Sequence, residues 1–257
     1  MAARLPREGT PPTGEDRGCD TSGMLVVHRM LRRWFADAPQ LVRAVPPGDT
    51  KRSAVIGSHV SEFAQALHNH HATEDDLLWD TLESRSPACA LHVAQMKARH
   101  QAVAVVLREL EAVLLAWQNT ADPATRDRVA EILDRVRVAL ATHLGQEEDQ
   151  ILPVAGPTMS QREWDDFGKH GLTSLPKNRP MIQLGYVLDP FTPEERLTWM
   201  KKSVPALARM LYWLVGRRQY DSDYRRVYGK APSYTERRLH RRPRPGQIQA
   251  RLGCPVR

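Results

Sequence analysis

The sequence predicts an all-α protein: a four-helix up-down bundle with an appended C-terminal helical layer. Three observations predict it. Apolar residues recur at steps of three and four along four long stretches between residues 22 and 153. Prolines and helix-capping residues punctuate the chain between those stretches. No stretch alternates apolar and polar residues with the period of two that a half-buried strand needs. Helices with one apolar stripe each, joined by short turns, describe a bundle.

Residues 1–20 carry Pro6, Pro11, Pro12 and scattered charge, and read as a flexible leader. The first helix starts near Ser22 and runs to about Asp37, with Pro39 expected to break it. Met24, His28, Leu31 and Phe35 form its stripe. After the Pro46-Pro47-Gly48 turn, Asp49 is an N-cap for a second helix to about Arg85. Its seam is Ile56, Val60, Phe63, Leu67, His70, Glu74 and Leu77.

Ser86-Pro87 is a cap followed by proline at the first helical position, and so starts the third helix. Val93, Met96, His100, Val103, Leu107, Leu110, Leu114 and Trp117 make that seam. Asp122-Pro123 repeats the signal for the fourth helix, with Val129, Ile132, Val136, Leu140, His143, Glu147 and Ile151 inward. Pro153 is expected to end it. The bundle thus spans residues 21–155. Capping boxes at Ser160–Glu163 and Thr192–Glu195 predict shorter helices in an accessory extension over 156–230. Residues 231–257 read as a basic, disordered tail, with seven arginines from Arg237 onward and no acid among them.

The 257 residues are 41% hydrophobic and 26% charged, which suits a chain that buries a sizeable core. The formal net charge is +7. Its concentration in the tail argues for a solvated appendage over a nucleic-acid surface. No apolar run is long enough for a membrane span, so no membrane association is expected. Cys19, Cys89 and Cys254 are widely spaced. That spacing fits a reducing cytoplasm and neither a disulfide framework nor a zinc–thiolate site. No Gly-rich phosphate loop, Gly-x-Ser-x-Gly elbow or Cys–His nucleophile pair occurs.

Chemistry concentrates on the seams. Each of the four helices places a histidine there: His28, His70, His100 and His143. Two add a glutamate one turn later, Glu74 and Glu147. A buried ionised carboxylate needs cationic company, and two carboxylates among four imidazoles fit a metal pair better than a hydrogen-bonded network. Nitrogen and oxygen donors without thiolate suit iron, manganese or zinc. His71 and Asp75 are rotated about 100° from the seam pair and read equally as groups orienting the ligands or as a helix flank. His59 and His68 lie off the seam and are expected at the surface. His170 and His240 fall in loop and tail contexts.

The units Val27-His28-Arg29-Met30-Leu31-Arg32, His70-His71-Ala72-Thr73-Glu74-Asp75-Asp76-Leu77-Leu78-Trp79, His100, and His143-Leu144-Gly145-Gln146-Glu147-Glu148-Asp149-Gln150-Ile151-Leu152-Pro153 together resemble the hemerythrin-like, or HHE cation-binding, family. The resemblance covers about residues 22–155. It implies a non-haem di-iron site bridged by Glu74 and Glu147, with His28, His70, His100 and His143 as terminal ligands. Some members take the second carboxylate one residue later, which would be Glu148. The implied activity is binding or reducing a small oxidant such as dioxygen, peroxide or nitric oxide. Iron or oxygen sensing through a partner, or a metal-free interaction module, are the alternatives.

One departure stands out. Oxygen-carrying members have two histidines one turn apart on the third helix, whereas here Met96 stands one turn before His100. Four terminal histidines instead of five would leave an open position on one ion and favour redox reactivity or sensing. An open path on the Met96 side would point to an enzyme, and a closed one to sensing.

Overall fold

The computed structural model describes residues 18–173 and 178–232, all-α apart from one isolated bridge between Gly18 and Ser160. The four long helices are α1 (Ser22–Arg43), α2 (Thr50–Leu77), α4 (Ala90–Thr120) and α5 (Pro123–Gln150). Between α2 and α4 lie the short α3 (Trp79–Arg85) and a single 3₁₀ turn, Pro87–Cys89. In the bundle, α1 packs on α2 and α5, and α4 packs on α2 and α5, so the four helices close around one interior.

The predicted caps form at Asp49 and Asp122, whereas Ser86 makes no side-chain capping bond and leads into the 3₁₀ turn, so the third long helix starts at Ala90 and not at Pro87. The Asp49 side chain accepts from Arg52 N, and Asp122 accepts from Thr125 N, each leaving one fewer orphan donor at its helix start. Three helix ends differ from expectation: the second helix stops at Leu77, and the short α3 carries the chain on to Arg85. Helix α1 continues through Pro39 to Arg43, because Ala38, Pro39 and Val42 are all buried and packing outweighs the missing backbone donor. Pro153 does not end the fourth helix segment. It sits in the first turn of α6 (Leu152–Thr158), where a missing N–H costs nothing. The leader is likewise ordered sooner than expected. Gly18 N–H donates to Met159 O and Cys19 N–H to Gly156 O, tying residues 18 and 19 to the end of α6.

Two helices after the bundle belong to the same compact unit, which ends at Pro190. Helix α7 (Gln161–Thr173) starts at a reciprocal box between Ser160 and Glu163 and packs against α2. Its Trp164 and Phe167 join Leu78, Trp79, Val93, Met96 and Ile151 in an apolar cluster at one end of the interior. Helix α8 (Pro180–Leu188) lies against α1. Its Tyr186 meets Trp34 and His59, at ring separations of 5.7 and 5.2 Å. A second unit begins at Phe191 and holds α9 (Pro193–Ser203), α10 (Ala206–Leu211) and α11 (Arg217–Tyr228), with a π-helical turn over Tyr212–Gly216 between the last two. The full Thr192–Glu195 capping box forms at the start of α9. Most of the predicted basic tail, from residue 233 on, lies outside the described residues.

His59 corrects the expectation of a surface residue. It is buried, because Trp34 on α1 and Tyr186 on α8 cover a flank of α2 that the bundle alone would leave open. His68 is exposed as expected. His170 is exposed on the last turn of α7 and not in a loop, and His240 lies outside the described residues.

Candidate metal centre

Midway along the bundle the apolar seams give way to imidazoles and carboxylates. His28 comes from α1, His70, His71 and Glu74 from α2, His100 from α4, and His143 and Glu147 from α5. Their ligand atoms form two groups, His28, His70, Glu74 and Glu147 in one and His71, His100 and His143 in the other. Within each group the atoms lie within 4.8 Å of one another. All six seam residues are therefore brought together, and a seventh joins them.

The seventh is His71. It is 5% exposed, stacks on His100 with ring centroids 4.1 Å apart, and sits 4.8 Å edge-on to His143. The inward line of α2 shifts here from Leu67, His70, Glu74 to Leu67, His71, Glu74, Leu78, again in steps of four, three and four. An inward helix stripe is wider than 100°, so two adjacent residues can straddle its midline. His70 leans toward α1, 5.3 Å from His28, and His71 leans toward α4 and α5. A fifth imidazole thus stands in the cluster although Met96 occupies the position one turn before His100. Met96 is fully buried in the apolar cluster, and its side of the interior is closed by Leu78, Trp79 and Val93.

Both carboxylates reach both groups. Glu74 Oε1 is 3.2 Å from His70 Nε2, and its Oε2 is 3.3 Å from His100 Nε2. Glu147 Oε2 is 3.5 Å from His28 Nε2 and 3.7 Å from His143 Nε2. These separations are long for hydrogen bonds. Two ligands about 2.1 Å from one shared ion stand about 3.0–3.4 Å apart, so the separations suit donors arranged around a cation.

The hydrogen-bond balance says the same. Glu74 and Glu147 are fully buried, yet none of their four carboxylate oxygens has a hydrogen-bond partner. The Nε2 atoms of His28, His70, His71, His100 and His143 also lack one. Buried polar atoms are normally paired, and this many orphans converging on one place mark a site that something binds. The residues present fit a divalent metal.

The titration behaviour follows from burial. Burial pushes Glu74 up to about 8, with the neighbouring Glu147 working against it. Burial and then the charge of Glu74 drive Glu147 well above the usual carboxylate range. Burial, then neighbouring histidines, holds His70 and His71 well below the ordinary imidazole value, and draws His143 down to about 3. Metal-free, Glu74 and Glu147 therefore keep their protons near neutral pH, and His70, His71 and His143 stay neutral. A cation would displace the carboxyl protons and meet imidazoles already free to ligate.

An outer ring fixes two of the histidines. His28 Nδ1 donates to Glu148 Oε1 at 2.8 Å, and Arg32 grips the same carboxylate through Nη1 at 2.6 Å and Nη2 at 3.0 Å. His100 Nδ1 donates to Asp75 Oδ1 at 2.7 Å, and Trp79 Nε1 donates to the same oxygen at 2.8 Å. A carboxylate can only accept, so each bond places the proton on Nδ1 and leaves Nε2 aimed at the interior. Burial works against ionisation of Glu148, but His28 and Arg32 outweigh it and hold the carboxyl down to about 2. In Asp75 the bond from His100 likewise outweighs burial, and its carboxyl is lowered. Glu147 thus faces inward and Glu148 outward, and Asp75 bonds His100, the placement that an orienting group would have.

A helical bundle with histidines and carboxylates converging between its four helices defines a cation-binding bundle protein. Residues 21–155 match the model of the hemerythrin HHE cation binding domain, and the chain belongs to that family. No curated protein and no solved structure matches the chain.

Proposed function

We propose that the seven inward residues hold a carboxylate-bridged pair of iron ions, and that the protein binds or reduces a small oxidant such as dioxygen, peroxide or nitric oxide. The observation that carries this reading is that Glu74 and Glu147 each stand beside a histidine of both groups. A carboxylate that spans two sets of nitrogen donors is the usual frame for two metal ions in a bundle interior. The sets are unequal, with His71, His100 and His143 on one side and His28 and His70 on the other. The two-histidine side supplies fewer donors and leaves more room for a small ligand. His70 is the most exposed of the seven, with 9% of its side chain accessible, and lies on that side. Iron supplies the redox chemistry and manganese or zinc would fit the same donors. The chain's part is to present the imidazoles, accept the ions on two buried carboxylates and keep bulk water out.

A second reading, an iron or oxygen sensor, is favoured by one observation. The Met96 side is closed by a continuous apolar cluster that reaches Trp164 and Phe167 on α7. That wall offers no path for a substrate, yet it links the site region to the helix following the bundle.

Metal analysis with an optical spectrum of aerobically purified protein tests the proposal. About two irons per chain with near-ultraviolet charge-transfer absorption are expected. Protein that stays metal-free after iron-supplemented expression would overturn it.

A further inference from the structure

Helix α10, the π-helical turn and α11 follow one another without interruption from Ala206 to Tyr228. Tyr212, Gly216, Tyr220, Tyr224 and Val227, spaced by four, four, four and three, are its buried stripe. The opposite side of the first half is also apolar. Leu207, Met210, Leu211 and Leu214 recur at steps of three, one and three on one face, flanked by Trp213 and Val215. All six are exposed, Leu207 to 64% and Leu214 to 58%. Single exposed apolar residues are ordinary, but six within nine residues form a contiguous patch that needs a partner. Past Gly216 the outward positions turn polar, with Arg218, Gln219, Ser222, Arg225 and Arg226 exposed. The apolar face is therefore a local feature of about two and a half turns.

Its surroundings are cationic. No acid occurs between Glu195 and Asp221, while Lys201, Lys202, Arg209, Arg217 and Arg218 fall inside that interval. Lys201, Lys202 and Arg218 are exposed, and the Arg217 guanidinium lies 5.9 Å from the Trp213 ring centre. After Glu195 the only acids are Asp221, Asp223 and Glu236. The +7 of the whole chain therefore resides in this C-terminal part, and the residues before it carry more acid than base.

Charge separates the candidate occupants. Two copies packed face to face would bring cation against cation, with no acid in the interval to pair them. Nucleic acid would take the cations but offers no sink for six apolar side chains. An anionic phospholipid surface takes both, with headgroups under the cations and the acyl boundary under the leucines and tryptophan. We propose that the Leu207–Val215 face docks on an anionic phospholipid surface with its helix lying in the interface plane. The segment lies on the membrane and does not span it. Among the described residues no helix is long and apolar enough to cross one. The absence of a span therefore does not exclude membrane contact, and the expectation of no membrane association is revised for this face.

Co-sedimentation of the full chain with vesicles of phosphatidylglycerol or phosphatidylcholine tests this. Binding to phosphatidylglycerol, weakening as salt is raised, and little binding to phosphatidylcholine are expected. The double variant Leu211→Glu/Leu214→Glu should bind more than about tenfold more weakly, with helix content and metal content unchanged. Lys202→Glu and Arg218→Glu should each weaken binding by about fivefold or more. The proposal is overturned by three results. One is no binding to phosphatidylglycerol at low salt. Another is a double variant that binds like the wild type, which would assign binding to the basic tail. The third is a dimer in solution that the double variant dissociates, which would make a second copy the occupant.

Discussion

Replacing Asp75 by alanine removes a carboxylate oxygen that two largely buried donors share, His100 Nδ1 at 2.7 Å and Trp79 Nε1 at 2.8 Å. Trp79 is fully buried and His100 nearly so. Leaving a buried donor unsatisfied costs about 1–3 kcal/mol. The Asp75 side chain is itself 37% exposed, so water can partly refill the vacated position. The lower end of that range then applies to each donor, and about 1–3 kcal/mol in all should be lost from the metal-free protein. Metal affinity should fall by about tenfold to a hundredfold, because the His100 ring loses the group that fixes its tautomer and orientation. At saturating metal the variant still fills, since no donor to the ion is removed. Asp75→Asn keeps one accepting oxygen and should fall between the two. Urea denaturation of metal-free protein reads the first quantity, and competition with a chelator reads the second. A variant with wild-type affinity, whatever its stability, would refute the orienting role. Unchanged stability would show that the two hydrogen bonds carry no weight.

Three further outcomes follow from the same geometry. His71→Ala should lower metal content as His70→Ala does, because both rings present an orphan Nε2 to the centre; metal analysis showing a full complement would return His71 to a flanking role. Between pH 6.5 and about 8, Glu74 and Glu147 keep protons in the folded metal-free protein that the unfolded chain has released, so its stability should fall as pH rises, by up to about 1.4 kcal/mol per pH unit for each proton of difference. Below 6.5 the unfolded chain gains protons on His70, His71 and His143 that the folded state refuses, so stability should fall toward acid as well, and a denaturation series in pH that rises steadily through 8 would contradict the protonation states described here. Deleting residues 233–257 should leave metal content unchanged, since every residue of the centre lies between His28 and Glu147; metal loss on deletion would show that the tail acts on the bundle.

Much of the centre was legible because one periodicity governs both packing and ligation. A residue on the seam must face the interior, so His28, His70, Glu74, His100, His143 and Glu147 could be read from steps of three and four alone. His71 could not, because a seam is a line and the buried stripe is a band wide enough to hold two neighbours. Counting histidines along lines suggested a deficit at Met96 that the band removes. The choice between Glu147 and Glu148 was open in sequence for a related reason. In the structure Arg32 holds Glu148 away from the cluster through a bidentate pair between α1 and α5. His59 was misread because its cover, Tyr186, arrives from a helix more than a hundred residues later. Such errors share one cause: helix periodicity reports which way a residue faces, and not what later comes to stand in front of it.

The placing of the polar centre also bears on how metal and fold are coupled. On one side of it the interior is lined by Phe35, Ile56, Val60 and Phe63, and on the other by Leu78, Trp79, Val93 and Met96, all buried. These apolar layers flank the centre on both sides, so the bundle has buried apolar surface that does not depend on metal, unlike small metal modules that unfold without their ion. Metal binding then acts mainly on the layer that contains it, relieving the orphaned carboxylates and imidazoles. An effect felt elsewhere must pass through elements touching that layer. The most direct is α3, which follows α2 after a single residue, Leu78, and whose Trp79 bonds to Asp75 while packing in the same cluster as Trp164 and Phe167. Under the sensing reading, the state of His100 would therefore reach α7 through Asp75 and Trp79. Hydrogen exchange in α7 that is the same with and without metal would exclude that route and leave the oxidant-handling reading the stronger of the two.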